Sequence, residues 1–579
     1  MTDYEESIAF LGQWGPFQQT VFFLLCSSAI PNGFTGMSIV FIGDTPPHRC
    51  LIPAGSNISA EWRNHSIPWE EDQSGTLSLS KCSRYRLDVI KNLSNSGYVP
   101  GIDVNVTELP LETCLDGWKY DQGTYISTIV TEWDLVCDEK WRNPLTSSIF
   151  FCGVLTGSFL SGQLSDRFGR KIVLFVTMGV QTVFTFIQVF SLSWSMFCGL
   201  HFIVGMGQIS NYVAAFVLGT ELLSLEVRMV FSTLGLCVSF ALGYMLLPLG
   251  AYLIREWRML LLVLTLPGVL YVPLWWFIPE SPRWLLSQGR VEEAEAILRR
   301  AARQNRVQAP DIIFQPPQME LASGKLETYN ICDLLRSRNI CWVSVTLWIV
   351  WTVMSIGYFA LSLNTSNLHG SSYLNCFVSA TIEVPAYLLA WLLFRFCGRR
   401  PSLCWTLFLG GVMMFFTHLL PPGLSWISTT LEMLGKFGVT VAFSILYAFT
   451  AELYPTVLRN TAVGVCSMAS RIGSISAPYF IYLGEYSKSL PNILIGGLTI
   501  LSGLLSLLLP ESHGVPLPDT VDHMQSFPGC IKREVCKCTC PSGEEDEQAM
   551  EMSPQLTLKS PSADPYTHLI VCGTVPELG

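Results

Sequence analysis

Runs of about 20 apolar residues, the length an α-helix needs to cross the hydrocarbon of a bilayer, recur through this chain. They lie near 20–42, 145–163, 172–192, 196–218, 230–253, 259–278, 341–363, 374–394, 402–420, 427–450, 461–483 and 490–510. Inside a bilayer each backbone N–H and C=O must be satisfied within its own segment, so a chain of such runs folds as a helical bundle. The twelve runs predict an all-α polytopic membrane protein. Composition agrees: the 579 residues are 50% hydrophobic and 14% charged, with a mean hydropathy of +0.39, against about 25% charged for soluble domains. The net charge of −10 argues against nucleic-acid binding. Residues 2–19 carry acids rather than a basic leader, and the first run is long enough to span, so it reads as its own insertion signal.

An even number of spans puts both termini on one side. Arg167, Arg170, Lys171, Arg228, Arg283, Arg395, Arg399, Arg400 and Arg459 then fall in loops on that side. The excess of cations marks it as cytoplasmic. Arg255 and Arg258, beyond the fifth span, are exceptions. The expected organisation is a cytoplasmic N-terminus (1–19), a six-helix half (20–278) carrying a long external loop (43–142), a cytoplasmic linker (279–340), a second six-helix half (341–510) and a disordered cytoplasmic tail (511–579). The external loop holds Cys50, Cys82, Cys114 and Cys137 and the sequons at Asn57, Asn64, Asn92 and Asn105. Together these predict a glycosylated, disulfide-closed ectodomain whose three possible pairings the sequence leaves open. In the tail, Cys530, Cys536, Cys538 and Cys540 beside basic residues suit palmitoylation.

The two halves repeat. Between the second and third runs stands Gly162-Gln-Leu-Ser-Asp166-Arg167-Phe-Gly169-Arg170-Lys171, echoed by Gly398-Arg399-Arg400 after the eighth run. Glu221 and Arg228 follow the fourth run as Glu452 and Arg459 follow the tenth. Pro279-Glu280-Ser281, with Arg283, follows the sixth run as Pro510-Glu511-Ser512 follows the twelfth. Duplicated halves predict a site between them near the midplane, about which they rock. Asp166, Arg167, Arg170, Glu221, Arg228, Glu280, Arg283, Glu452 and Arg459 are the expected gate residues. They are read as ion pairs that form across the halves when the inner gate shuts.

Polar groups at mid-span are expensive and therefore functional candidates. Arg471 lies about ten residues into the eleventh run; its fork suits a substrate carboxylate. Glu383 is either its ion-pair partner or a cation-handling group. Asn32, Gln208, Asn211 and Tyr212 are polar candidates in the first and fourth runs, with Pro31-Asn32-Gly33 a possible helix break offering oxygens to Na⁺. Trp351, Tyr358, Phe359, Phe443 and Tyr447 supply aromatic faces of the kind that attract quaternary ammonium groups. Rings and one Arg suit a small zwitterion with an alkylated cationic head and a carboxylate. Metal and nucleotide sites are not expected.

The loop Gly162–Lys171 resembles that between helices 2 and 3 of the major facilitator superfamily. Phe10-Leu-Gly-Gln-Trp-Gly-Pro-Phe17, Ile30-Pro-Asn-Gly-Phe34, Ser127-Thr-Ile-Val-Thr-Glu-Trp133, Gly205-Met-Gly-Gln-Ile-Ser-Asn-Tyr-Val213 and Glu452-Leu-Tyr-Pro-Thr456 resemble the organic cation/carnitine transporters of the solute carrier 22 family, over about 1–520. The resemblance implies a twelve-helix major facilitator fold and a plasma-membrane transporter rather than an enzyme. Its implied cargo is carnitine with Na⁺, organic cations such as tetraethylammonium, and ergothioneine, either as a preferred substrate or beside carnitine. An organic anion exchanger is the remaining alternative, since Arg471 also suits a lone carboxylate. The resemblance further implies that Arg471 reads carnitine's carboxylate, the purely cation-selective relatives having an Asp there, and that Asn32, Asn211 and Tyr212 line the substrate or sodium path. The chain ends Val-Pro-Glu-Leu-Gly, without the terminal Ser/Thr-x-apolar pattern by which relatives dock PDZ scaffolds.

Overall fold

The computed structural model describes Tyr4 and residues 7–71, 77–310, 312–314 and 333–513. The tail from 514, with its four cysteines, lies outside the described residues, as does most of the linker between 311 and 332.

Each apolar run is a helix of the bundle. The first half comprises α1 (Pro16–Met37, continued by Ile39–Ile42), α2 (Arg142–Phe168), α3 (Arg170–Gln188), α4 (Trp194–Leu222), α5 (Leu236–Leu253) and α6 (Trp257–Tyr271). The second comprises α7 (Arg338–Leu363), α8 (Ser372–Thr381 and Glu383–Phe396), α9 (Arg399–Thr417), α10 (Ser425–Leu453), α11 (Thr456–Tyr482) and α12 (Leu490–Ser506). Among the described residues, nine helices are long and apolar enough to span on their own; α9 and α11 are not among them, and α12 is a shorter apolar helix. These helices form the two six-helix halves expected from the repeat.

The helix break expected at Pro31-Asn32-Gly33 is absent, since α1 runs through Pro31 to Met37. The small residues there serve a helix crossing instead. A Cβ on Gly33 would lie 2.2 Å from the carbonyl of Phe240 on α5, and one on Gly243 would lie 2.1 Å from the carbonyl of Ile30. Without lipid exclusion to drive them together, membrane helices gain contact by such close backbone approach. α5 is entered through a π-helical turn, Phe231–Gly235, and π-turns commonly mark functional sites.

The loop between α1 and α2 folds into a small domain with three antiparallel ladders: β1 (His48–Cys50) with β6 (Trp118–Tyr120), β2 (Trp69–Glu71) with β3 (Leu77–Leu79), and β4 (Ser83–Tyr85) with β5 (Leu111–Thr113). Of the three possible pairings it adopts Cys50–Cys114 and Cys82–Cys137. Ile58, Trp62, Tyr85 and Ile90 form its core, too small to hold without cross-links. Asn57, Asn64, Asn92 and Asn105 are exposed. The exceptional cations Arg255 and Arg258 anchor this domain. Arg258 pairs with Glu132, Trp257 Nε1 donates to the same carboxylate at 2.7 Å, and Arg255 Nη1 donates to Gly123 O at 3.2 Å. They are loop-domain anchors, which accounts for two cations at the loop-domain end of α6.

The halves touch at the loop-domain end. Ser148 Oγ on α2 donates to Ile475 O on α11 at 2.7 Å. Phe41, at the end of α1, stacks on Tyr373 of α8 at 5.4 Å, and Tyr373 OH donates to Thr124 O at 3.0 Å. Lys140 pairs with Glu485. The linker helices Pro282–Ser287 and Val291–Asn305 sit at the other end. There Asn305 Oδ1 accepts from Phe17 N at 2.8 Å, satisfying one of the free amides at the start of α1.

Candidate functional site

The first part of the site is a cluster of rings built on two helices of the second half. Trp351 and Tyr358 are two turns apart on α7, and Phe443 and Tyr447 one turn apart on α10. Trp351 meets Tyr447 edge-on at 4.4 Å and Phe443 at 5.6 Å; Tyr358 stacks on Phe443 at 5.8 Å. Trp351 Nε1 donates to Thr450 Oγ1 at 3.0 Å, which satisfies its polar edge. Trp351 is fully buried, whereas Tyr447 keeps 38% exposure in the middle of the bundle. Phe359 meets Tyr358 edge-on at 5.2 Å and extends the group toward the first half. It contacts Phe151 of α2 at 4.8 Å and so joins the two halves.

Arg471 lies on α11, which packs along α7, the helix that carries Trp351 and Tyr358. Its Nε is buried with no hydrogen-bond partner. Tyr212 of α4 is within the electrostatic reach of Arg471, Tyr447 and Cys237. The first half therefore contributes Tyr212 and Cys237, and the second Arg471 and Tyr447, to one central place. Leaving a guanidinium nitrogen buried and unpaired costs several kcal/mol in general; a bound anion removes that cost.

Glu383 is not the partner of Arg471. Lys436 Nζ lies 3.1 Å from Glu383 Oε1, with side-chain exposures of 1% and 0%. Tyr358 OH donates to Glu383 Oε1 at 2.8 Å and Tyr387 OH to Oε2 at 3.2 Å. Lys436 also donates to Ser379 O at 2.9 Å and Oγ at 2.6 Å. Sequence reasoning passed over Lys436 and Tyr387. A lysine in a predicted span was itself the signal that an acid must face it.

The amide group spans three helices of the first half. Gln208 Nε2 donates to Asn32 O at 2.7 Å, tying α4 to α1. Asn211 Nδ2 points at Met178 Sδ at 3.2 Å, and Gln181, one turn further on α3, donates to Thr35 Oγ1 of α1 at 3.2 Å. The side-chain oxygens of Asn32, Gln181 and Asn211 are all buried without a partner. Gln181 was missed because one amide in an apolar run reads as an ordinary helix contact.

The expected gate residues gather into two matching knots, each within its own half. In the first, Arg170 pairs with Glu221 at 3.1 Å and with Asp166 at 3.0 Å. Glu280 accepts from the backbone N–H groups of Arg170 and Lys171 at 2.9 and 3.0 Å. A carboxylate at these two free amides caps the start of α3 and complements its dipole. In the second, Arg399 pairs with Glu452 at 3.1 Å. Glu511 accepts from the N–H groups of Arg399 and Arg400 at 2.9 and 3.1 Å. Arg228 and Arg459 repeat each other as well, bonding Leu223 O and Tyr454 O. Arg283 and Arg228 lie near Tyr4 and Glu221, while Arg167 is exposed over Phe168. The pairing across halves expected from the sequence is replaced in this state by pairing within them. The reason is local: Arg170 and Glu221 sit on adjacent helices of one half, as do Arg399 and Glu452 in the other. Gly169 is required twice over. Its φ is +103°, and a Cβ there would lie 2.5 Å from Glu280 Oε2. Gly162, by contrast, faces open space.

Residues 114–518 match the family described as Sugar (and other) transporter. The chain is 59% identical over 530 residues to organic cation/carnitine transporter 2 of Mus musculus, covering 91% of this chain and 95% of that protein. It is 58% identical over 535 residues to organic cation/carnitine transporter 2 of Homo sapiens, covering 92% and 96%. Solute carrier family 22 member 4 of Mus musculus is 59% identical over 530 residues, with 91% and 96% covered. Among solved structures, the inward open xylose transporter XylE from E. coli aligns with a TM-score of 0.56 at 14% identity, covering 86% of this chain and 98% of that one. At that identity the likeness is one of fold.

Proposed function

The chain belongs to the organic cation/carnitine transporter branch of the solute carrier 22 family, within the major facilitator superfamily, and from that premise we propose that it couples sodium to the uptake of carnitine-like zwitterions and also carries organic cations. It is a multi-pass membrane transporter and not an enzyme. We assign it to the plasma membrane, with both termini in the cytoplasm and the loop domain outside, glycosylated at Asn57, Asn64, Asn92 and Asn105.

One observation carries the substrate reading: the buried Nε of Arg471, without a hydrogen-bond partner among the described residues, acts on the same Tyr212 as Tyr447 of the aromatic cluster. In this reading a carboxylate takes the fork of Arg471, and an alkylated ammonium lies against Tyr447, Phe443 and Tyr358. Charge-assisted hydrogen bonds and cation–π attraction act on the two ends of the same small molecule. Tyr212 closes the site from the first half. A simple organic cation uses the rings alone.

Sodium is assigned to the amide group. The orphaned oxygens of Asn32, Gln181 and Asn211 are hard neutral donors of the kind that replace the water of an alkali cation. Gln208 holds α1 and α4 at the right spacing. Glu383 is already engaged by Lys436 and two tyrosines and is left out of the ion path. With the loop domain outside, contact between halves at that end and separate knots at the other correspond to a state closed to the exterior. Transport then requires the loop-domain contacts to part while the knots approach.

The test is uptake into liposomes holding the purified protein, with and without an inward sodium gradient. Carnitine uptake is expected to rise with the gradient and tetraethylammonium uptake to be indifferent to it. Faster entry of ergothioneine than carnitine would assign the chain to that substrate instead. Aryl carboxylates outpacing every quaternary ammonium compound would replace the proposal with organic anion exchange.

A further inference from the structure

We propose that Lys436 is a specificity-determining residue: it holds the charge of Glu383 out of play, so that Arg471 is left as the uncompensated charge of the substrate cavity. This rests on the reading of Arg471 as the carboxylate's partner and adds the reason why a site with an acid among its tyrosines does not prefer plain cations.

Glu383 is linked to the ring cluster. Tyr358 bonds it and also stacks on Phe443, which in turn meets Tyr447. A bare carboxylate in that position would attract any ammonium that reached the rings. Instead Lys436 already supplies the cation, 3.1 Å from Oε1 and fully buried. Its ammonium also lies 4.8 Å from the ring centre of Tyr244 and 5.6 Å from that of Tyr358. Ser379 fixes it from the far side through its carbonyl and hydroxyl. The acid is thus neutralised by a bonded cation that a substrate cannot easily displace. Arg471 has no such counterion among the described residues, and the site presents a net demand for negative charge.

Removing one member of the pair changes that balance in a predictable direction. Lys436→Gln leaves Glu383 bare, which offsets Arg471 and recruits cations. Glu383→Gln leaves Lys436 bare, which adds a second positive charge and repels them as long as the contacts to Ser379 and the face of Tyr244 keep the ammonium protonated. Buried unpaired charges act strongly because little water screens them. The two single variants must therefore shift the carnitine-to-tetraethylammonium uptake ratio in opposite directions, and the double variant must return it.

The experiment measures both uptakes in liposomes for the unaltered protein, Lys436→Gln, Glu383→Gln and the double variant, each normalised to the amount of folded protein inserted. The ratio is expected to fall about tenfold in Lys436→Gln, to rise about threefold in Glu383→Gln, and to lie within about threefold of the original in the double variant. A purely structural pair would lower both uptakes by the same factor and leave the ratio unchanged, which overturns the proposal. So does a shift of both single variants in the same direction. Should Lys436→Gln fail to fold, Glu383→Gln decides alone: an unchanged or lowered ratio sinks the idea. The two readings separate through Arg471→Ala. If that variant discriminates between substrates and the Lys436 series does not, the proposed function stands and this inference falls. If Arg471→Ala does not discriminate, both fall.

Discussion

Replacing Arg471 with Ala removes the guanidinium from the centre of α11 while leaving the ring cluster untouched. The size of the effect follows from what the side chain lacks. Its Nε has no hydrogen-bond partner among the described residues, so its loss breaks no bond of that nitrogen and little folding stability is at stake. The carboxylate of a bound zwitterion loses a bidentate, charge-assisted contact worth about 2–3 kcal/mol at a half-buried site, and about 1.4 kcal/mol is a factor of ten. Carnitine uptake efficiency should therefore fall about 30- to 150-fold. Tetraethylammonium has no carboxylate and should stay within about threefold, or gain slightly as a repulsive charge disappears. Arg471→Lys should fall between, since it keeps the charge and loses the planar fork. Labelled carnitine and tetraethylammonium are taken up into liposomes holding equal amounts of each variant. Equal loss of both substrates at normal insertion would refute the reasoning and make Arg471 a structural residue.

The knots should behave in the opposite way. Arg170→Ala and Arg399→Ala each break the matching pair to Glu221 or Glu452, and should slow uptake of carnitine and tetraethylammonium by the same factor, about tenfold; a substrate-selective effect would contradict a gating role. Gln181→Leu removes one orphaned oxygen from the amide group and should abolish the sodium-stimulated part of carnitine uptake, leaving tetraethylammonium uptake within about twofold; full sodium stimulation in that variant rules the oxygen out as a ligand. Burial holds the Asp44 carboxyl above the usual carboxylate range against the opposing bonds from Tyr125, Thr45 and Ser366. The closed loop-domain end thus binds the proton more tightly than an opened, hydrated one, so closure is strengthened as pH falls through the window between the raised and the ordinary value and weakened as pH rises through it. Asp44→Asn should remove this acid dependence, read as the rate at which a cysteine placed on the outer face of the bundle is labelled; an unaltered pH profile would count against it.

Much of the bundle could be read from the chain because a bilayer permits so few ways of satisfying a backbone. Run length and cation bias are local quantities, and the matching Glu–Arg spacings at 221–228 and 452–459 survive in the order of residues. What could not be read was which charges meet. Glu383 had two mid-membrane cations within plausible reach, Arg471 and Lys436, on different helices, and only the crossing of α8 with α10 decides between them. Pro31 and Gly33 carried the marks of a broken helix, yet the same small residues also permit a tight crossing, and α5 lies against them. The orphaned oxygens were hidden for the same reason. Asn32, Gln181 and Asn211 are unremarkable one at a time and become a group only when α1, α3 and α4 pack. The two anchoring arginines looked like violations of the charge bias until Glu132 was found opposite Arg258.

The anchoring of the loop domain has a practical consequence. The Glu132 contacts to Trp257 and Arg258 fasten it to α6, and so to the first half. Its ties to the second half are non-covalent contacts that include the hydrogen bond between Tyr373 and Thr124, the ring contact of Tyr125 with Tyr373 and the ion pair between Lys140 and Glu485. The domain therefore behaves as cargo strapped to one rocker arm and held to the other by contacts that can part. A fluorophore fixed to it reports the angle between the arms during turnover. An antibody that staples it to the residues around Tyr373 or Glu485 would halt transport from outside, without entering the cavity or competing with any solute.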